Sequence, residues 1–267
     1  RDLMRPYLLE RIDDVAVVQV YADGFSSLAL RDKLLVWHLY LAALAGRDIY
    51  YDQRYAPNLS MRGVLEAILT HGDDVDPRVL AEIRRYTKLF WINTGPHNNI
   101  TARKCLLDVT RDQLLAAVTA AAARGARLPQ EPGETLAQLV DRLAPLFFDP
   151  LVDPIVTNKS PGPGPDILES SANNLYVGVT MADVEQFEET HGLNSRLVKR
   201  DGALSEEVYR IGGRYDREIR RLVGHLEDAV IRFRNAWQRA RDTERDHLSR
   251  VRKGLRQGSR KLLDQRR

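Results

Sequence analysis

Cysteine occurs once in 267 residues, at Cys105. A lone thiol excludes an internal disulfide and any multi-cysteine metal site, and it fits a reducing compartment, so the cytoplasm is the expected location. Long apolar runs are also missing. No stretch approaches the roughly 20 residues that span a bilayer, so no membrane partner is expected. The opening Arg1-Asp-Leu-Met4 lacks the basic start, apolar run and small-residue cleavage site of a signal peptide. It also lacks an initiating methionine, which points to residues upstream.

Several catalytic signatures are absent as well. The six histidines, His38, His71, His97, His191, His225 and His247, form no H-E-x-x-H pair, the spacing that sets two imidazoles and a carboxylate on one helical face. His225 and Glu227 are two apart and fall on different sides of a helix. His38 flanks an apolar face and reads as a structural histidine. Lys159 followed by Ser-Pro-Gly-Pro-Gly-Pro165 fails the spacing of a phosphate loop, and its prolines remove the N–H donors such a loop needs. There is no Gly-x-Ser-x-Gly elbow, and Cys105, among leucines, reads as an inert buried thiol.

What is present is an ordinary globular composition, 43% apolar and 29% charged, enough for one large domain or two small ones. The net charge of +3 hides an asymmetry. From Arg232 to Arg267 there are 13 basic and four acidic residues, whereas residues 1–231 hold 27 basic and 33 acidic ones. The body is mildly acidic and the last 36 residues carry all the basicity.

The apolar pattern predicts a helix-rich α+β chain. Asp14–Tyr21 is a β-branched run that reads as a buried strand. Leu30, Leu34, Trp37, Leu41 and Leu44 lie on one face of a helix over 28–45, closed by Gly46. Met61–Thr70 reads as a helix, and Asp76-Pro77 starts another whose stripe is Val79, Leu80, Ile83, Tyr86 and Phe90. Thr110 and Gln113 form a capping box for a helix that ends at Gly125. Leu136–Leu143 is helical up to Pro145. Six of the 12 prolines fall between Pro145 and Gly178, a long connection that is functional or a linker. Thr180 caps a helix that runs through Phe187 to His191-Gly192, two strand-like runs about Asp201-Gly202 read as a hairpin, and a last amphipathic helix uses Ile219, Leu222, Val223, Leu226 and Val230.

The densest polar stretch is Trp91-Ile-Asn-Thr-Gly-Pro-His-Asn-Asn-Ile-Thr-Ala-Arg-Lys104. One reading is a helix end followed by a turn. The other is a surface that reads a peptide backbone by hydrogen bonds. From Phe90 this block resembles the N-terminal lobe of dipeptidyl peptidase III-type enzymes, in particular the bacterial branch. The resemblance continues through Leu146–Gly164, Ser171–Met181, Leu193–Lys199, Glu207-Val-Tyr-Arg210, Tyr215–Ile219 and His225-Leu-Glu-Asp228, over about residues 1–230.

The resemblance implies a two-lobed zinc exopeptidase that removes dipeptides from the N-termini of short peptides. The lobe that this chain resembles has helices packed round a small β-core and forms one wall of the peptide cleft. His97, Asn98, Asn99 and Ile100 correspond to that wall and are the candidate substrate-binding residues. The family's zinc lies in the other, C-terminal lobe. There two histidines and a glutamate from H-E-x-x-G-H and E-E-x-R-A-D type motifs bind the metal, and the motif glutamate acts on the water. Neither motif occurs here, so no catalytic residue, no metal ligand and no zinc bound by this chain are expected. The resemblance divides the chain into an incomplete N-terminal lobe, 1–231, and a basic Arg-rich tail, 232–267.

Family members continue differently past Ala229, and the charge changes at the same place. A shifted reading frame ending a truncated gene would account for both, and a solvated or disordered tail is the structural expectation. An inactive, peptide-binding relative is the alternative. The tail as a nucleic-acid arm is the weaker reading, because its acids are interleaved and Trp237 is its lone stacking candidate. A lobe without its full β-core would leave an open edge and apolar surface, so self-association is expected.

Overall fold

The computed structural model describes residues 5–192 and 194–264. Residues 1–4 of the N-terminal reading, Leu193 at the head of the 193–199 block, residues 265–267, and the side chains of Trp237 and His247 lie outside that description. The chain is α+β and helix-rich, and the described residues form one sheet of two strands and one of three. It divides into two compact units, Arg1–Val20 with Arg47–Asp216, and Tyr21–Gly46 with Arg217–Arg267. That division differs from the one drawn at residue 231.

The first unit opens with a hairpin, β1 (Leu8–Ile12) and β2 (Val15–Val18), paired antiparallel. A buried strand was expected over 14–21. Instead β2 is short and half-exposed, and Val20 beyond it is 83% exposed. A two-stranded ribbon has nothing to cover its second face, which is why β-branched residues alone did not bury it.

The core of this unit lies among four helices: α2 (Asn58–Thr70), α3 (Pro77–Asn93), α4 (Arg111–Ala123) and α5 (Leu136–Phe148). The caps read from the sequence are in place. Asp76 Oδ1 accepts from Arg78 N at 2.9 Å and Val79 N at 3.1 Å, and Thr110 with Gln113 forms a complete capping box. Thr135 with Gln138 forms a second one. Val79, Ile83, Tyr86 and Phe90 of the α3 stripe are buried with Met61, Leu65 and Ile68 of α2 and Leu139, Leu143 and Phe147 of α5. Each such side chain contributes about 1.5–3 kcal/mol by leaving water.

Pro145 does not stop α5. The helix runs through it to Phe148, because only one internal hydrogen bond is forfeited near the helix end while Phe147 is fully buried edge-on against Tyr86, with ring centroids 5.8 Å apart.

The proline-rich connection that follows stays inside the first unit and is ordered by pairing. Ala172 N donates to Ile155 O and Asn173 N to Val156 O, both at 3.0 Å. It leads to a sheet in which β3 (Tyr176–Val177) is parallel to β4 (Ser195–Arg200) and β4 is antiparallel to β5 (Ala203–Val208). The hairpin turn is Asp201-Gly202, both at positive φ (51° and 79°), the backbone that a two-residue primed turn requires. Between β3 and β4 lies α6 (Met181–Gln186), capped by Thr180 with Asp183; it ends at Gln186, short of the His191-Gly192 end expected from the sequence, because Phe187 takes extended backbone.

In the second unit, the helix expected to end at Gly46 instead passes through it. That helix is α1 (Leu30–Arg54), whose last turns belong to the first unit. Gly46 is a contact residue and not a cap: a Cβ there would lie 2.9 Å from Leu222 Cδ1. Leu222 sits on α7, which is helical from Asp216 through Asp264, across the residue-231 boundary. No proline interrupts residues 216–264, and arginine, glutamine and leucine are good helix formers. The α1 stripe is largely open: Leu30 is 72% and Trp37 52% exposed. Among the described residues no helix is long and apolar enough to cross a membrane.

Candidate functional site

The polar segment of the sequence forms one braced loop between α3 and α4. Helix α3 ends at Asn93, and Thr94 and Gly95 then take left-handed backbone at φ 54° and 136°. Gly95 is required there: an added Cβ would sit 2.6 Å from Oδ1 of the fully buried Asn58. The Asn58 amide is itself pinned, donating to Tyr51 O at 2.9 Å and Thr94 O at 3.0 Å.

Beyond Pro96 the chain folds back on itself. His97 pairs with Lys104, Asn98 N donates to Arg103 O at 2.8 Å, and Ala102 N returns to Asn98 O at 2.9 Å. Asn98 Oδ1 accepts from Ile100 N at 2.8 Å and Thr101 N at 3.0 Å, which closes the tip. Asn99 is tied to the end of α3, its N–H donating to Asn93 Oδ1 and its amide to Ile92 O. The asparagines therefore spend their side chains on the loop itself. This is the reason for their density that sequence reading weighed as turn formation.

The four candidate residues separate by position. His97 is 1% exposed and belongs to the interior. Its Nε2 lies 2.7 Å from Asp153 O; a carbonyl only accepts, so Nε2 carries the proton and Nδ1, buried without a partner, is bare. Burial holds the imidazole pKa below its ordinary value, which keeps this neutral form. The ring meets Tyr55 edge-on at 5.0 Å, and Tyr55 Oη donates to Asp153 Oδ2 at 2.7 Å, with burial pushing the phenol well up. Asn98 and Asn99 line the turn, and Ile100 stands at its tip, 95% exposed.

A second brace was not legible beforehand. Lys104 Nζ donates to Pro145 O, Asp149 O and Val152 O at 3.1, 2.9 and 2.7 Å, gathering carbonyls from the last turn of α5 and from the segment just beyond it. Its pKa is lowered, first by burial. Lys104 N donates to Pro154 O and Val156 N to Ala102 O, both at 3.0 Å, so the proline-rich connection closes over the back of the loop. Arg54 Nη2 adds a bond to His97 O at 3.2 Å. The carbonyl partners of the Lys104 ammonium lie 41 to 48 residues further on and carry no local signal.

Chemically, the loop offers shape, backbone groups and one apolar tip. It offers no activated nucleophile: burial pushes the half-buried Cys105 thiol up, away from the reactive thiolate.

Among the described residues one group has the composition of a metal site, and it lies in the second unit: His38 on α1 with His225 and Asp228 on α7. In the sequence His38 stands alone beside an apolar face, and His225 and Glu227 fall on different sides of a helix. The available signal was the three-residue spacing of His225 and Asp228, which shares a helical face. His38 enters only through the crossing of two helices nearly 190 residues apart in sequence.

No family model matches the chain, and no curated protein matches it.

Proposed function

We propose that this chain is part of a dipeptidyl peptidase III-like metallopeptidase and supplies a section of the wall that holds short peptides, without supplying the catalytic zinc ligands. The observation that carries this reading is the loop from Asn93 to Lys104. Its tip residue Ile100 is presented on backbone held by Asn58, Asn93, Asn98 and Lys104, so little further ordering is lost when a peptide lies against it. The length of the resembling blocks supports the same reading, and the resemblance together with the single cysteine supports a cytoplasmic setting.

The zinc of the resembled family does not fit these residues. Its ligand motifs are absent from the sequence, and the loop's one histidine is buried as a structural donor. No hydrolytic step belongs to this chain, and its share of the chemistry is holding peptide. That is also the content of the alternative, an inactive peptide-binding relative.

Titration calorimetry with a panel of short peptides tests the proposal. Saturable binding is expected, weakened about tenfold by Ile100→Ser and by Asn98→Ala, with no dipeptide released when zinc is added. Absence of binding across the panel removes the wall reading; metal-dependent release of dipeptides by the chain alone removes the assignment of a purely holding role.

A further inference from the structure

The second unit brings together three side chains that no part of the peptide reading uses. Ligand atoms of His38, His225 and Asp228 all lie within 4.8 Å of one another. His38 Nδ1 is shut off from solvent and makes no hydrogen bond, while Asp228 Oδ2 lies 3.5 Å from it. A polar atom buried without a partner is costly, and a bound cation is one way to satisfy it. The His38 side chain is 12% exposed whereas Asp228 is 54% exposed, so the group is closed on the α1 side and open to water on the α7 side.

We propose that His38, His225 and Asp228 form a binding site for a divalent transition metal, with Zn²⁺ the best-fitting ion. Two imidazoles and one carboxylate are borderline donors of the kind that suit zinc, cobalt or nickel and not magnesium or calcium. Three protein ligands leave a fourth position to water, which the exposed side of Asp228 admits. With metal–ligand bonds of about 2.0–2.1 Å, tetrahedral donors sit about 3.3 Å apart. The His38–Asp228 separation is already close to that, and side-chain rotation at the surface-facing residues covers the remainder. His225 and Asp228 share one face of α7 at three-residue spacing, and the Gly46–Leu222 contact holds α1 against α7 nearby. The imidazole rings of His38 and His225 are 6.1 Å apart between centroids and tilted by 45°, so they converge without stacking.

The competing use of the same atoms is a His38–Asp228 ion pair with His225 as a bystander. Metal titration separates the two. Untagged chain, stripped with chelator, is titrated with Zn²⁺ by calorimetry and with Co²⁺ by visible absorption. One equivalent is expected to bind, and Co²⁺ is expected to give the intense bands of a four-coordinate nitrogen–oxygen site. Asp228→Asn, at an exposed position that leaves folding intact, and His225→Gln are expected to weaken binding about a hundredfold and to abolish the Co²⁺ bands. His71→Gln, outside the group, is expected to change neither. Circular dichroism of each variant establishes that the helices are retained. The proposal is overturned if no saturable equivalent binds, or if Zn²⁺ and Co²⁺ bind equally well to all the variants.

Discussion

The two compact units bury their apolar residues to very different degrees. In the first, the stripes of α2, α3, α4 and α5 face one another, and Met61, Leu65, Ile83, Leu114, Leu139 and Phe147 have essentially no contact with solvent. In the second, the α1 stripe was equally regular in the sequence, yet Leu30, Trp37 and Leu44 stay exposed, and among the described apolar residues only Ala42, Ile219 and Ala229 are buried. Periodicity creates an apolar face, but only a partner surface of matching extent buries it. Two helices cover one stripe each; four helices enclose a volume.

This comparison can be pressed hardest by truncating one aromatic in each unit. Phe147→Ala is expected to cost about 3–5 kcal/mol in chemical denaturation, because it removes a fully buried ring and leaves a cavity. A cost near that of a surface substitution would mean that the four-helix core is not packed as described.

Glycine gives the next test, through one close approach taken from each unit, Gly95 and Gly46. Gly95→Ala is expected to cost about 1–3 kcal/mol: the backbone is left-handed, and the new Cβ meets a pinned, buried amide. At Gly46 the obstacle is the end of a flexible leucine and the backbone is helical, so Gly46→Ala is expected to be neutral or to stabilise by up to about 1 kcal/mol. Thermal melts of the two variants would show opposite directions; equal losses would break the distinction.

A pH profile probes the loop itself. His97 is neutral in the fold, with a pKa below its unfolded value of about 6.5. The unfolded chain therefore takes up the proton first, so this contribution is complete above about pH 6.5 and is lost as pH falls below it. His97→Gln keeps a donor for Asp153 O and does not titrate, so its stability is expected to fall less steeply on acidification. Identical slopes for the two proteins would place the charged imidazole within the folded state.

The smallest expected effect on stability is at the open stripe. Leu30→Glu with Trp37→Glu is expected to change unfolding free energy by no more than about 0.5 kcal/mol per site, while shifting the sedimentation of a self-associating chain toward monomer. A large loss of stability would mean that the face is covered in the folded chain.

Much of the local structure was legible in the sequence. Asp76, Thr110 and Thr180 announce helix starts because a side-chain oxygen two or three residues away satisfies the first N–H groups, an interaction confined to one turn. Asp201-Gly202 announces its hairpin because the required backbone is left-handed at both positions. The stop signals at Gly46 and Pro145 failed for the opposite reason. Each was overruled by a contact from a distant residue, Leu222 in one case and Tyr86 across from Phe147 in the other. The polar loop was recognised as a unit, but its inward and outward residues were not distinguishable. His97 and Ile100 are three apart in sequence and at opposite extremes of exposure, decided by Asp153 and Tyr55, which approach from elsewhere in the chain.

By itself, then, the sequence determined what its short-range chemistry could determine: helix starts, the hairpin turn, the apolar stripes and the helix-rich α+β character. Tertiary structure alone decided which stripes found cover, that Lys104 would gather the carbonyls at the end of α5, and that His38 would meet His225 and Asp228. The physical reason is one of range. Caps and turns are satisfied within a few residues, whereas burial, braced loops and ligand clusters depend on groups that only folding brings within reach.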